Sequence, residues 1–228
     1  MCRGRLLSLR TPPGRSNLSS MADWHRFSPQ AHVHGNVVLN FTRHPKGDLH
    51  IYARAYQEAA TALVEVFRAK RYYSDAEACP IVFLYRHAVE LYLKTILLWG
   101  GGLVRLQTGE TLDLDRMFQH HEFKFLLPNV RKVFEAAGWA TCCEAATRYG
   151  ALAEIEAIIM EIEEIDPNSF AFRYPVDRKG VAPLPEQFHF NVVALGKDLD
   201  LLLRALDGAA EGVYEQFQFL AREYQSMR

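Results

Sequence analysis

The stretch that decides the fold is IVFLYRHAVELYLKTILLW, residues 81–99, in the middle of the chain. Helical residues turn by about 100° each. A helical wheel with Arg86 at zero therefore puts Glu90 at about 40°, Lys94 at about 80° and His87 at about 100°. The rest of the circumference is apolar. We predict a helix that is buried at the centre of an all-α fold and carries one narrow polar stripe.

Charged side chains on a buried helix need partners, because an unpaired charge in an apolar interior is very costly. Two interpretations of the stripe stay open. Arg86, Glu90 and Lys94 are four residues apart, so they can satisfy one another as structural ion pairs. Alternatively, the stripe lines a cleft and meets a ligand there, because functional charges and structural ion pairs look alike in a sequence.

A second helical pattern lies ahead of this stretch. Apolar residues recur there at four-residue steps, namely Ile51, Ala55, Ala59, Leu63 and Phe67. They predict a helix over residues 48–71 with Asp48 as its N-cap. We expect the central helix to start near Asp75 and to stop at the glycines of residues 100–102. The short connection at residues 72–74 then predicts an α-hairpin.

The chain after the central helix is also predicted to be helical. Residues 103–119 are expected to form an insertion, and residues 121–138 a helix interrupted at Pro128. A long helix is predicted over residues 141–165. Its inward face is expected to hold Leu152, Ile155, Ile158, Ile159, Ile162 and Ile165. Its outward face is expected to hold Glu154, Glu161, Glu163 and Glu164.

Residues 166–188 contain four prolines and no helical pattern, so they predict a long aromatic loop. Two helices, over residues 189–206 and 210–226, are expected to close the fold on either side of Asp207 and Gly208. Together these elements predict an antiparallel up-and-down helical bundle.

Composition divides the 228-residue chain into three predicted parts. Residues 1–20 contain four arginines and no acid, and we expect a disordered or mis-assigned leader, with the true start at Met21. Residues 21–47 are predicted to form an extended arm, and residues 48–228 a single helical-bundle domain.

The charge balance limits the classes of function. The chain has 26 basic and 27 acidic residues; without residues 1–20 it has 22 basic and 27 acidic residues and a net charge of −5. Such a surface disfavours general phosphate binding, so an RNA site must be a focused cluster. The longest uncharged apolar run, residues 95–104, is too short to span a bilayer. Four cysteines without a CxxC pair fit a reducing compartment, and we expect a soluble, cytoplasmic protein.

Motifs for cofactors are missing from the sequence. It contains no GxxxxGK[ST], GxGxxG or GxSxG motif, and we predict no cofactor. Five histidines cluster near the N-terminus and could share a zinc ion, namely His25, His32, His34, His44 and His50. No cysteine or carboxylate pair completes that ligand set. The preferred interpretation is a polar arm, and no metal site is predicted.

Three motifs carry a resemblance to a known family. They are YRHAVELYLK at residues 85–94, HEF at residues 121–123 and FRYPVDRKG at residues 172–180. With the helix order, they resemble the HEPN superfamily (higher eukaryotes and prokaryotes nucleotide-binding), and more narrowly a poorly characterised bacterial branch. Its members are small helical bundles common in toxin–antitoxin and defence systems. The resemblance covers roughly residues 50–205.

Many members of this family are metal-independent ribonucleases with an Rx4–6H motif, in which the arginine and histidine act on the scissile phosphate and the 2′-OH, generally at a dimer interface. This sequence has the spacing at Arg26–His32, Arg43–His50 and Arg116–His121. The last pair alone falls within the resembling region. It precedes the third helix, whereas the family motif belongs near the start of a late helix.

The resemblance and the polar stripe together suggest one site. We expect a phosphate to be clamped by Arg86 and Arg173, because guanidinium groups fit phosphate oxygens two at a time. A histidine would accept the proton. The candidate catalytic residues are Arg86, His87, Glu90 and His121. The candidate ligand-binding residues are Lys94, His120, Arg173, Tyr174 and Asp177.

A structural alternative for the loop stays open, because aromatic loop residues often serve packing. Phe170, Phe172 and Tyr174 would then plug the end of the bundle, and Arg173 would pair with Asp177 or Glu90.

Two hypotheses for the function follow. The first is a HEPN-like protein that binds RNA or a nucleotide and, in its catalytic form, is a metal-independent ribonuclease in a stress, defence or toxin–antitoxin setting. Its expected partners are a second copy of the chain and an antitoxin-like protein. The second hypothesis is a non-catalytic helical module for dimerisation or partner binding, which the aromatic surplus and near-neutral charge favour.

Overall fold

The computed structural model describes residues 45–139 and 152–226, together with Val37. The chain divides into two units, Met1–Arg43 and His44–Arg228, and the described helices lie in the second unit. The described residues of this unit form six α-helices and no β-strand, which confirms the all-α class. The leader predicted at residues 1–20 and nearly all of the predicted arm lie outside the described residues.

The first two helices form the predicted hairpin. Helix α1 spans Leu49–Ala69 and helix α2 spans Ala78–Thr108, each preceded by a short 3-10 turn. A capping box between Ser74 and Glu77 begins the turn that leads into α2. Asp48 occupies the N-cap position of α1, but its side chain makes no capping hydrogen bond.

Helix α2 is longer than predicted, because the glycines at residues 100–102 do not end it. A Cβ atom on Gly100 would lie 2.2 Å from Cγ1 of Val133, and one on Gly102 would lie 2.5 Å from the ring of Phe217. These glycines therefore serve close packing. The helix ends before Gly109, whose φ of 77° provides a left-handed C-cap. The predicted stop was therefore wrong, and the range predicted as an insertion, residues 103–119, contains the last turns of α2 and a short helix, Leu114–Gln119.

Four further helices follow in the described ranges: α3 (Leu114–Gln119), α4 (Phe123–Ala136), α5 (Leu152–Ile165) and α6 (Val192–Ser226). The predicted interruption at Pro128 was wrong, because α4 continues through this residue. Proline lacks an N–H group, so the helix loses one backbone hydrogen bond there. The predicted break at Asp207 and Gly208 was also wrong. The Asp207 carboxylate pairs with side chains of α1 and does not cap a helix end. The start of the helix predicted over residues 141–165 lies outside the described residues.

Helix α2 lies at the centre and packs against α1, α4 and α6. Large side chains such as Tyr85, Tyr92 and Leu93 are fully buried on it, and Arg86, Glu90 and Lys94 are its buried charged residues. The predicted buried helix with one polar stripe is therefore confirmed. No helix in the described ranges is long and apolar enough to cross a membrane.

Helices α1 and α5 do not bury all of the residues that the sequence pattern predicts to face inward. In α1 the buried residues are Ala53, Ala60 and Val64, so most of the residues in the four-residue repeat lie on the exposed side. In α5 the assignments of Glu163 and Ile165 were wrong. Glu163 is buried because it faces the charged stripe of α2, and Ile165 is 36% exposed.

Candidate functional site

Arg86 is fully buried, and its guanidinium joins three parts of the chain. Its Nε donates to the carbonyl oxygen of Asp166 at 2.9 Å, and its Nη2 donates to the carbonyl oxygen of His121 at 2.9 Å. The guanidinium carbon lies 4.5 Å from the centroid of the Phe123 ring. Arg86 therefore ties α2 to the segment that precedes α4 and to the segment that follows α5.

Glu90 stands among three positively charged or ionisable groups. Its Oε1 lies 2.8 Å from Nζ of Lys94 and 2.8 Å from Nδ1 of His121, and its Oε2 lies 3.4 Å from Nη1 of Arg86. Burial raises the pKa of the Glu90 carboxyl, but Lys94 and His121 outweigh burial, so the pKa lies below its ordinary value. The structure thus contains the two ion pairs that the four-residue spacing allows, Arg86 with Glu90 and Lys94 with Glu90.

His121 differs from the other members of this network in its exposure. Its side chain is 62% exposed, whereas the side chain of Glu90 is 3% exposed. Because a carboxylate only accepts hydrogen bonds, Nδ1 of His121 carries the proton in this contact. Nε2 has no hydrogen-bond partner among the described residues. The imidazole is therefore oriented by a buried anion and remains open to a ligand.

Two further acids face Arg86 from the opposite side, and the sequence analysis did not find them. Asp166 Oδ2 lies 3.5 Å from Nε of Arg86, and Glu163 Oε2 lies 3.8 Å from Nη2. Glu163 also accepts a hydrogen bond from the N–H of Phe123 at 2.9 Å. Burial raises the pKa of the Glu163 carboxyl above its ordinary value despite that bond. Arg86 is fully buried, and each of its three nitrogens already donates a hydrogen bond within the protein, so it is poorly placed to bind a ligand.

His87 lies on the stripe, packed between aromatic rings. Its ring centroid is 4.5 Å from that of Tyr56 and 5.9 Å from that of Phe83. Burial lowers the pKa of the His87 imidazole, which is therefore neutral at pH 7. The guanidinium carbon of Arg173 lies 5.4 Å from the centroid of the same Phe83 ring. Phe83 thus connects the stripe with the aromatic loop.

His120 is not brought to this network. Its ring stacks on Phe125 at a centroid distance of 4.5 Å, and it lines a separate 380 Å³ cleft with Asp113 and Arg116. His121, its neighbour in sequence, faces Glu90. The two adjacent histidines therefore serve different surfaces.

Carboxylates fold the loop after α5. Asp166 Oδ1 accepts from the backbone N–H groups of Phe170 and Ala171, at 2.6 and 2.9 Å. Asp177 Oδ1 accepts from the N–H groups of Lys179 and Val181, at 2.7 and 2.9 Å. Such Asx turns hold a loop without regular structure in one shape.

The loop aromatics divide between packing and exposure. Phe172 is buried against Val82, as the structural alternative expected, while Tyr174 is 51% exposed and stacks on Phe170 at 4.6 Å. Arg173 donates from Nε to the carbonyl oxygen of Ser169. Within the described residues it forms no ion pair with Asp177 or Glu90.

This loop surrounds a 560 Å³ cleft, which we call the loop cleft. Its lining includes Asp166, Phe170, Arg173, Asp177, Arg178 and Lys179. The three cations Arg173, Arg178 and Lys179 are exposed and have no ion pair with a carboxylate in the described ranges. The Arg86 guanidinium donates hydrogen bonds to the carbonyl oxygens of Asp166, which lines the loop cleft, and of His121. Arg86 therefore holds the wall of the loop cleft and the segment that contains His121 in place together.

A second polar cluster was missed by the sequence analysis. His50 and Arg54 of α1 meet Asp207 and Glu211 of α6. We call these four residues the α1–α6 cluster. The sequence does contain one sign of this cluster: His50 and Arg54 are four residues apart, as are Asp207 and Glu211, and this spacing places the two members of each pair on one face of a helix. The predicted break at Asp207 concealed it.

No protein-family model matches the chain, and neither the curated proteins nor the solved structures contain a match to it.

Proposed function

We propose that the chain is a HEPN-like helical protein that binds RNA at the loop cleft and cleaves it without a metal ion. His121 is the proton acceptor in this proposal. The single observation that supports it most strongly is the pair of His121 and Glu90, in which a buried carboxylate orients an imidazole that is 62% exposed. A histidine so placed has the geometry of a general base.

The reaction assigned to this pair is transesterification at the RNA backbone. Nε2 of His121 takes the proton of a ribose 2′-OH, and the 2′-oxygen attacks the adjacent phosphorus. The bond from phosphorus to the 5′-oxygen breaks, and water donates a proton to that oxygen. The products are a 2′,3′-cyclic phosphate and a 5′-hydroxyl end. The Glu90 carboxylate stabilises the imidazolium that forms, as a carboxylate partner does in catalytic triads.

We assign phosphate binding to the cations of the loop cleft and not to Arg86 or Lys94. Arg86 and Lys94 are buried and engaged with Glu90, so they position His121 by holding its carboxylate partner. Arg173, Arg178 and Lys179 are exposed and free of carboxylate partners in the described ranges. Three cations within seven residues form the focused cluster that an acidic protein needs to bind RNA.

Cleavage of a 5′-labelled oligoribonucleotide in EDTA tests the proposal. We expect a 2′,3′-cyclic phosphate product, and a fall in rate of at least about 100-fold in His121→Gln, because general base catalysis contributes that much. His189→Gln, a change at an exposed histidine in the segment between α5 and α6, is the matched control and should retain full activity. No cleavage by the wild type, or equal rates in wild type and His121→Gln, contradicts the proposal.

A second candidate function is a dimerisation module, and an exposed face of α1 favours it. Ile51, Ala55, Ala59 and Val66 are exposed along one side of this helix, opposite its buried residues. Small residues at the centre of such a stripe let the same helix of a second copy approach closely, and a two-fold dimer uses the same patch on both copies. Light scattering across a dilution series tests this, with Ala59→Glu expected to give a monomer. A wild-type monomer at every concentration contradicts it.

A further inference from the structure

The α1–α6 cluster brings together three side chains of the kinds that bind metal ions. His50 comes from α1, and Asp207 and Glu211 lie four residues apart on α6. One potential ligand atom from each residue lies within 4.8 Å of the other two. These atoms belong to neighbouring helices, so their spacing is set by the packing of the fold.

The imidazole of His50 is held in one orientation before any ligand arrives. Its side chain is 13% exposed, and its ring lies 5.9 Å from that of Tyr92 and 5.1 Å from that of Trp99. Nε2 points to Asp207, with Oδ1 at 2.5 Å. An imidazole with a fixed ring plane is a common feature of metal sites in proteins.

The charge in the cluster is not balanced. One nitrogen of Arg54, Nη2, donates to Asp207 Oδ2 at 2.9 Å and to Glu211 Oε1 at 2.8 Å, so a single cation serves two carboxylates. Arg54 and Asp207 also line a 520 Å³ cleft, and Glu58, which lines it with them, adds a further negative charge. The cluster and this cleft thus hold three carboxylates, those of Asp207, Glu211 and Glu58, and one arginine, Arg54.

We propose that His50, Asp207 and Glu211 form a binding site for a divalent transition-metal ion such as Zn²⁺, and that Arg54 competes with the metal for it. One imidazole and two carboxylates are a ligand set that zinc accepts, with the fourth position left to water. Arg54 is 49% exposed, so its side chain can leave the two carboxylates and swing into the cleft.

Metal binding requires the present contacts to rearrange, because Nε2 of His50 lies only 2.5 Å from Oδ1 of Asp207. Tetrahedral zinc bonds of about 2.0–2.2 Å put ligand atoms roughly 3.3 Å apart. The His50–Asp207 pair must open by roughly 0.8 Å to accept the ion. Rotation of the exposed Glu211 side chain, whose ligand atom lies within 4.8 Å of the other two, can complete the site. This site is independent of the proposed RNA cleavage, which continues in EDTA, so failure of one proposal does not imply failure of the other.

Calorimetric titration of the full chain with Zn²⁺ tests the proposal. We expect at least about a tenfold loss of affinity in His50→Ala and in Glu211→Gln, because each removes one ligand. We expect at least about a tenfold gain in Arg54→Gln, because it removes the competitor. A purely structural salt-bridge cluster gives no such gain. Glu65→Gln, at an exposed α1 carboxylate that pairs with Arg68, is the matched control and should leave the affinity unchanged.

Cobalt spectra distinguish this site from cysteine sites. Co²⁺ bound to nitrogen and oxygen gives visible absorption without a thiolate charge-transfer band. That spectrum should weaken in Glu211→Gln, an exposed position where folding is not at risk. Unchanged zinc affinity in both His50→Ala and Glu211→Gln overturns the proposal. So does the absence of any gain in Arg54→Gln, or a thiolate band in the cobalt spectrum.

Discussion

Replacing Glu90 with glutamine tests whether the charged stripe of α2 is a stabilising network. The Glu90 carboxylate has Lys94 and His121 at 2.8 Å from one oxygen and Arg86 at 3.4 Å from the other. A glutamine amide occupies the same volume but carries no charge. Its NH₂ group must also face one of these donors.

The magnitude follows from what the change leaves behind. Lys94 is 5% exposed and would keep only the carbonyl oxygen of Phe118, at 3.3 Å, as a partner. Removing one member of a buried ion pair costs about 3–5 kcal/mol. We expect the lower end, about 3 kcal/mol, because glutamine retains one acceptor. For a domain of this size that corresponds to a fall in Tm of roughly 6–12 °C.

Chemical denaturation monitored by circular dichroism measures this free energy of unfolding. Glu65→Gln is the control, since it removes a carboxylate from an exposed pair with Arg68, and such pairs contribute about 0–1 kcal/mol. Adding Lys94→Met to Glu90→Gln should recover part of the loss, because it removes the cation left without its carboxylate. A loss below about 1 kcal/mol in Glu90→Gln refutes the reasoning.

Other predictions concern pH and packing. Burial lowers the pKa of His87, so as the pH falls the unfolded chain binds a proton at this imidazole before the folded chain does. The wild type should therefore lose stability between about pH 7 and pH 5. Denaturation measured across this pH range should show a smaller loss in His87→Gln. Gly100→Ala puts a methyl group against Val133 and should lower the stability by about 1–3 kcal/mol in thermal unfolding. Gly208→Ala meets no atom within 4 Å inside α6 and should raise it by about 0.5–1 kcal/mol.

The sequence predicted best where one helix dominates the pattern. The stretch around Arg86 has so wide an apolar surface that burial at the centre was the only stable placement, and the structure confirms it. Helix ends at glycine were predicted less well. Gly100 and Gly208 lie inside helices for different reasons: Gly100 packs closely on Val133, whereas Gly208 lies in open space. A local pattern does not distinguish these cases from a stop.

The partners of the stripe could be predicted only within α2. Glu90 and Lys94 follow Arg86 at helical spacing, but Glu163 and Asp166 reach it from about 80 residues away. Contacts of that range depend on how the helices pack, and helical periodicity carries no information about them. The α1–α6 cluster escaped prediction for the same reason.

The face of α1 that packs inward also required the structure. Small residues such as Ala53 and Ala60 are buried, while the larger Ile51 is exposed. When both sides of a helix carry apolar residues, the four-residue repeat predicts a helix without deciding its orientation.

Binding of a labelled oligoribonucleotide, followed by fluorescence anisotropy, tests the central claim most directly. The probe carries a 2′-O-methyl group on every ribose, so no 2′-OH can attack and binding is measured without reaction. One variant combines Arg173→Gln, Arg178→Gln and Lys179→Gln. Its control combines Arg105→Gln, Lys197→Gln and Arg222→Gln, which removes the same charge from exposed cations outside the loop cleft.

We expect the loop-cleft variant to lose at least about tenfold in affinity and to show a shallower salt dependence, because fewer phosphates are neutralised. The control variant should bind like the wild type. Equal losses in the two variants, or unchanged binding in the loop-cleft variant, would contradict the assignment of the loop cleft as the RNA site.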